Sequence, residues 1–480
     1  MTTSGSSAPH VVVVGGGIAG LAAAFFLREG PVRVTVLEGS PRLGGKLSAS
    51  EVAGVTMDEG AEALLARRPE GIALITATSG LAGDLVPAGT TSSAIWSRGA
   101  MRALPRRQFM GVPANTGELA ATGILSADGI TRARREASVD RDGDISVAQY
   151  IGGVLGAEVV DRLVDPLLGG VYAGRSEDLS FEATLAPLAA ATRKHPLLTE
   201  AAASLIPPPP TDPEAKPAPV FVTLTSSLGS LPAAVAKASG AEVRTGAMVR
   251  ELARTPDGWR LTIGSAADPE YLEADAVILA CPAAPAARLL ASATPGASQA
   301  LTEIPYASMA IITLAYRAAD FPLAGRSGYL VPAVDGKAVK AATFSTVKWP
   351  HLARAAADAD AGHAVHIVRC SVGRIGEVAL LQRDDKDLVS LAAAELAEAT
   401  GITGSPVESR VSRWGGGLPQ YNVGHLDRVA RIRADVAGQP GLAVAGAAYA
   451  GVGIPACVAT ARQAADQVLA GLLRAPHRDE

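Results

Sequence analysis

The sequence predicts an α/β fold of more than one unit, and three observations carry that prediction. Near the start, HVVVVGGGIAGLAAAFFLREGPVRVTVLEGS runs from an apolar strand through a glycine-rich turn into an alanine-rich helix and on to a second strand. The far end, GLAVAGAAYAGVGIPACVATARQAADQVLAGLL, also reads as strand, glycine-rich turn and helix. Between them lie a mainly helical stretch and a set of segments with the two-residue alternation of strands. At 480 residues the chain is long enough for two or three compact units.

The first βαβ unit holds the most specific chemistry. Gly15, Gly17 and Gly20 form GxGxxG directly after a run of four valines. Gly15 permits the turn, Gly17 lets backbone approach a pyrophosphate, and Gly20 lets helix and strand pack closely. The start of the helix, from Gly15 and Gly16 through Gly17, Ile18, Ala19 and Gly20, then offers free N–H groups and a positive dipole end to phosphates. Glu38 closes the second strand, 18 residues beyond Gly20, where a carboxylate accepts hydrogen bonds from ribose hydroxyls. A glycine-rich turn without a ligand is the competing reading of the glycines alone. The whole unit, acid included, points to a dinucleotide but does not separate NAD from FAD.

Two further segments favour FAD. RLGGK, Arg42 to Lys46, follows Glu38 at a spacing typical of flavin proteins, in which a glycine pair and a basic residue approach the cofactor. In the C-terminal segment Pro455 suits the first turn of a helix. The positive end of that helix suits the flavin N1/C2 carbonyl, where charge collects on reduction. A plain surface helix with a proline start is the alternative there.

The rest of the chain supplies organisation. Residues 119 to 204 look mainly helical, and the prolines of IPPPPTDPEAKPAPV, Ile206 to Val220, mark a stiff connector. Beyond it EVRTGAMVREL, WRLTIG and AVILAC read as strands, more strands follow from Ser308 to Arg369, and Leu388 to Thr400 reads as an amphipathic helix. Hydrophobic residues make up 48% and charged residues 19%, the balance of a globular protein. A net charge of −4 without a basic-aromatic module argues against nucleic acid as a partner. Cys281, Cys370 and Cys457 show no metal spacing and read as reduced thiols, and His363 with His366 lacks an evident third ligand, so no metal is expected. The uncharged runs Val11 to Leu27 and Pro440 to Ala461 are broken by glycines, and the second also by Pro455, so both read as buried strand, turn and helix and not as spans.

With both ends in place, the chain resembles the amine-oxidase-like flavoproteins, and within them the oxygen-dependent porphyrinogen oxidases of haem synthesis. LLGGVYAG followed by DLS, TFSTVKWPH, RCSVGR, RWGGGLPQYNVGHLDRV and YAGVGIPACV carry the resemblance over nearly the whole chain. It implies a split, Rossmann-like FAD-binding domain (residues 1–65, 221–305 and 405–480) and an antiparallel-sheet substrate domain (66–110 and 306–404). A helical domain (111–220), with the Pro-rich connector at 206–220, completes the implied fold. It also implies non-covalent FAD held by Gly15 to Gly20, Glu38, Gly39, Lys46, Gly60, Ala61, Glu62, Ala63, Val249, Trp414, Gly453, Ile454 and Pro455. Where the family usually has a glycine pair after FxTL, this chain has Ser226 and Ser227.

The resemblance implies hydride removal from porphyrinogen bridges, three times over, with O2 reoxidising the flavin and giving hydrogen peroxide. Coproporphyrinogen III is the expected substrate and protoporphyrinogen IX the alternative, because arginine is abundant around the presumed slot. Arg67, Arg68, Arg98, Arg102, Arg106 and Arg107 fall in the segment assigned to the substrate domain, and a guanidinium binds a carboxylate bidentately. Lys348 is a further propionate candidate, read as a strand-end lysine, and the backbone of Gly169 and Gly170 a pyrrole-binding candidate, with a simple glycine turn as the bland reading. A cytoplasmic enzyme is expected, with at most peripheral membrane contact and transient contact with the next enzyme of the haem pathway. A flavin amine oxidase is disfavoured because Ile311 stands where those enzymes keep a lysine, and aromatics are only 4% of the chain, too few for an amine cage. A carotenoid desaturase and a non-catalytic binding protein on the same fold complete the alternatives.

Overall fold

The four-valine strand is buried along its whole length, which requires neighbours on both edges and cover on both faces. In the computed structural model it has both. His10–Val14 lies at the centre of a five-stranded sheet, paired in parallel with Arg33–Leu37 on one side and Ala276–Leu279 on the other. Glu242–Arg244 and Leu442–Val444 add parallel strands at the two edges, so this one sheet draws on the beginning, middle and end of the chain. The structure describes residues 8–78, 80–139, 143–208, 218–322, 325–357, 359 and 362–474. The central part of the Pro-rich connector, residues 209–217, lies outside the described residues.

Helix Ile18–Leu27 covers one face of this sheet together with the C-terminal helix Ile454–Arg474, and their apolar residues merge with Val11, Val13, Val36 and Ile278 into one core. The other face carries a second core, with Val12, Val14, the buried Trp259 and helix Ala283–Leu290. Trp259 belongs to an antiparallel meander of Val249–Thr255, Gly258–Gly264 and Pro269–Ala274.

A seven-stranded sheet stands beside the first, in the order Glu408–Pro419, Tyr306–Arg317, Val365–Val372, Val339–Phe344, Gly328–Leu330, Ser93–Ser97 and Ala100–Ala103. Its pairings are antiparallel except where Gly328–Leu330 meets Ser93–Ser97 in parallel. The parallel junction arises because Ser93–Ser97 enters from a distant part of the chain and not through a hairpin. Helices between Leu119 and Ser204 form a separate core around Ile151, Leu163, Leu168 and Phe181. One π turn, Val160–Val164, interrupts the helical run leading into Asp165–Tyr172. Among the described residues no helix is long and apolar enough to cross a membrane.

Candidate active site

The glycines of the first turn have different surroundings. Gly15 has φ +116, a conformation that disfavours any side chain, and its N–H donates to the Leu37 carbonyl at 2.8 Å. A Cβ on Gly20 would lie 1.8 Å from the Gly15 carbonyl oxygen, so the helix sits on the turn with no room for alanine. A Cβ on Gly17 would meet nothing within 4 Å. Gly17 has an ordinary extended conformation, so neither backbone strain nor protein packing demands glycine there. The open space beside the helix start is what a pyrophosphate needs, and this is the observation by which the residues present fit a dinucleotide.

RLGGK docks on this turn. Gly44 donates its N–H to the Gly16 carbonyl at 2.8 Å, and Gly17 and Gly44 form an isolated parallel bridge. The carboxylate of Glu38 accepts from the N–H of Gly16 at 2.7 Å and from that of Ser40 at 2.8 Å, which fixes its position at the end of its strand. Met248 lies across Gly39, and the Ala247 N–H donates to the Glu38 carbonyl at 2.8 Å, bringing Val249 to the same end of the sheet. Lys46 is accessible to solvent yet densely surrounded by protein, as a side chain standing in a cleft is. That crowding lowers its ammonium below the ordinary lysine range, while burial pushes the nearby Cys457 thiol up to about 11.

The remaining cofactor candidates converge on this cleft. The Ala61 N–H donates to the Lys46 carbonyl at 3.3 Å, and the Trp414 indole N–H donates to the Glu59 carbonyl at 3.0 Å. At the C-terminal end Gly453 is exposed just before helix Ile454–Arg474, and Pro455 is buried in its first turn. A Cβ on Gly446 would lie 3.8 Å from that of Ala19, so the last turn faces the first. These residues stand at the carboxyl ends of parallel strands, where nucleotides bind in open α/β sheets.

Glu62 has a different setting. Its carboxylate accepts from the Lys348 ammonium at 2.7 Å and from the Arg369 guanidinium at 2.5 Å, and Arg369 also donates to the Gly60 carbonyl at 2.6 Å. All three side chains are at most 14% exposed, so this is a buried ion network. Burial works to raise the Glu62 pKa, but Lys348 and then Arg369 outweigh it and hold the carboxyl at about 2. Lys348 therefore has its charge committed to Glu62, and it ends a short helical turn, Ser345–Lys348, where a strand end was expected. Arg369 was missed by sequence reasoning. Its signal was a lone arginine next to the apolar pair Ile367 and Val368 in a strand-like run.

The substrate candidates are more dispersed. Gly169 and Gly170 lie within helix Asp165–Tyr172 and not in a turn. The carbonyl of Gly169 accepts the Ala173 N–H at 3.0 Å within that helix. Gly169 is nevertheless buried with nothing within 4 Å of an added Cβ, which places a hollow beside the helix. Arg67, Arg68, Arg98, Arg106 and Arg107 are exposed; Arg68 pairs with Glu70, and Arg67 lies 5.9 Å over the Phe109 ring. Arg102 is half-buried and donates to the Ser97 carbonyl at 2.9 Å. Ile311 stands in the strand Tyr306–Arg317 and is buried. Among the described residues no three potential metal ligands cluster.

The sheet, the glycine cradle and the second glycine pair define a flavin-dependent oxidoreductase. Residues 18–469 match the family described as flavin containing amine oxidoreductase, and the chain belongs to that family. Within it, the chain is 35% identical over 472 residues to the coproporphyrinogen III oxidase of Mycobacterium tuberculosis H37Rv, covering 96% of this chain and 97% of that one. It is 29% identical to the protoporphyrinogen oxidase of Bos taurus, covering 96% of this chain and 98% of the relative. A crystal structure from Exiguobacterium sp. 255-15, of a protein provisionally named protoporphyrinogen oxidase, superposes with a TM-score of 0.83 at 30% identity, covering 97% of this chain and 100% of that one.

Proposed function

We propose that this flavoprotein is an FAD-dependent oxidase of coproporphyrinogen III, with protoporphyrinogen IX the poorer substrate. The observation that carries the reading is the open cradle at Gly17 in a chain alignable from end to end with a coproporphyrinogen III oxidase. Bound FAD supplies the hydride acceptor for three successive two-electron oxidations, and O2 takes the electrons to give H2O2.

The chain's own work is binding and orientation. Gly15 to Gly20 hold the pyrophosphate, Glu38 the ribose and Lys46 the far wall of the cleft. Gly453 to Pro455 bring a positive helix end to the ring system. In this reading the cofactor is held without a covalent bond. The hollow at Gly169 in this reading receives a pyrrole edge, and exposed arginines among Arg67, Arg68, Arg98, Arg106 and Arg107 meet propionates. Exposed ion pairs contribute about 0–1 kcal/mol each, so exposed arginines support a preference of a few-fold to about tenfold between the two porphyrinogens. Ile311, buried where the amine oxidases keep a lysine, disfavours an amine substrate. The test is anaerobic mixing of the flavin-loaded enzyme with each porphyrinogen, which bleaches the flavin if the reading holds. Cytoplasmic location and at most peripheral membrane contact belong to this proposal, and fractionation with salt and carbonate washes tests them.

A further inference from the structure

Two adjacent buried residues, Gln420 and Tyr421, have polar contacts that the proposed chemistry does not use. The Tyr421 hydroxyl donates to the Ala447 carbonyl at 2.6 Å and accepts from the Gly451 N–H at 2.6 Å. It thereby closes the loop that delivers Gly453 to Pro455. The Gln420 amide, 1% exposed, donates to the Tyr172 carbonyl at 2.7 Å, at the end of the helix that carries Gly169 and Gly170. The Tyr421 backbone carbonyl also accepts from the Ser180 N–H at 2.8 Å, and the rings of Tyr172 and Tyr421 lie 5.4 Å apart. His425 stacks on the Tyr421 ring at 3.8 Å and 13°, which fixes the phenol plane.

We infer that Gln420 and Tyr421 are paired positioning residues, Tyr421 holding the cofactor turn and Gln420 the substrate helix, so that one short segment sets the two walls relative to each other. The inference rests on the proposed assignment of the 453–455 turn to the flavin and of the Gly169 helix to the porphyrinogen. Its physical basis is that a buried hydroxyl joining a carbonyl to an N–H leaves both orphaned when removed, and in a close-packed interior the loop then shifts. Neither residue touches the reacting atoms by this account. Tyr421 stays a neutral phenol, because burial raises its pKa far above the ordinary tyrosine range.

The two substitutions separate in their readouts. Tyr421→Phe is expected to weaken FAD binding by roughly tenfold or more, measured by fluorescence titration of FAD-free protein without any porphyrinogen. Gln420→Leu is expected to leave FAD affinity unchanged and raise KM for coproporphyrinogen III several-fold. A fall in melting temperature for both variants, with FAD affinity and KM as in the wild type, would show a purely structural role and overturn the inference. Hydrogen exchange on the unmutated protein covers the case where Tyr421→Phe does not fold. FAD should protect 447–453 and 169–174 together, and protection of the first segment alone contradicts the coupling. If the wild type oxidises no porphyrinogen, the proposed substrate fails, while the FAD titration and the exchange experiment still decide the linkage.

Discussion

The hydroxyl of Ser227 donates to a carboxylate oxygen of Asp58 at 2.7 Å, and Ser227 holds that bond in a backbone conformation of φ 76 and ψ 146. This conformation belongs almost wholly to glycine and costs on the order of 1–3 kcal/mol for other residues. The position is one of the two, Ser226 and Ser227, where the resemblance implied a glycine pair. Asp58 also accepts from the N–H groups of Leu228 at 3.3 Å and Gly229 at 3.0 Å, so the serine hydroxyl completes a shell around a buried carboxylate. Burial raises the Asp58 pKa, and the Ser227 hydroxyl is foremost among the groups that oppose the rise.

The first prediction compares two substitutions at this site. Ser227→Ala keeps the strained backbone and removes the bond to Asp58, so it should destabilise by roughly 1–3 kcal/mol. Ser227→Gly loses the same bond but relieves the strain, and should be more stable than the alanine variant by about 1–3 kcal/mol. Urea unfolding of both gives the order, and an alanine variant as stable as the glycine variant contradicts the strain.

The cradle gives the second prediction. Because a Cβ at Gly17 meets no protein atom within 4 Å and the backbone there is extended, Gly17→Val should fold normally and purify colourless. Its FAD affinity should fall by at least about a hundredfold, as expected when a side chain occupies the phosphate's place. Circular dichroism and the flavin absorbance of the same preparation check both halves, and a yellow, fully loaded variant removes the assignment.

Glu62 gives the third. Glu62→Gln leaves Lys348 and Arg369 buried without their counter-charge and should destabilise by roughly 3–5 kcal/mol at pH 7. Lys348→Met should cost less, since Glu62 keeps Arg369. The sign with pH follows from the depressed pKa. The wild type's carboxylate contributes stability above the ordinary glutamate value of 4.5, and loses it as pH falls through about 2. The gap between wild type and Glu62→Gln should therefore be full at neutral pH and narrow across that acidic range. A gap independent of pH down to 2 contradicts the ion network.

The exposed arginines give the fourth. Alanine at Arg67, Arg68, Arg98, Arg106 or Arg107 singly should raise KM for coproporphyrinogen III by less than about fivefold, the value of an exposed ion pair. Loss of several orders of magnitude at any one of them would show that the substrate buries that arginine, and would move the site's specificity from the rim to the interior.

What was legible in the sequence was local. The turn at Gly15 to Gly20 and the acid at Glu38 are set by contacts within one βαβ unit, so residue type and spacing reveal them. The helix start at Ile454 and Pro455 was legible for the same reason. The Glu62 network was not, because its partners lie 286 and 307 positions away, Lys348 on a helical turn and Arg369 in the strand Val365–Val372. Lys348 consequently looked available to a propionate when its charge is already matched. Gly169 and Gly170 looked like a turn because glycine disfavours helix. Leu168 and Tyr172, buried on either side of them in the helical core, override that preference.

The proposed substrate is tested by kcat/KM for coproporphyrinogen III and for protoporphyrinogen IX on one flavin-loaded preparation. O2 uptake and porphyrin fluorescence are followed together. Both should be oxidised, with coproporphyrinogen III favoured by a few-fold to about tenfold. A clear preference for protoporphyrinogen IX, or oxidation of neither by protein carrying bound FAD, contradicts the proposed substrate.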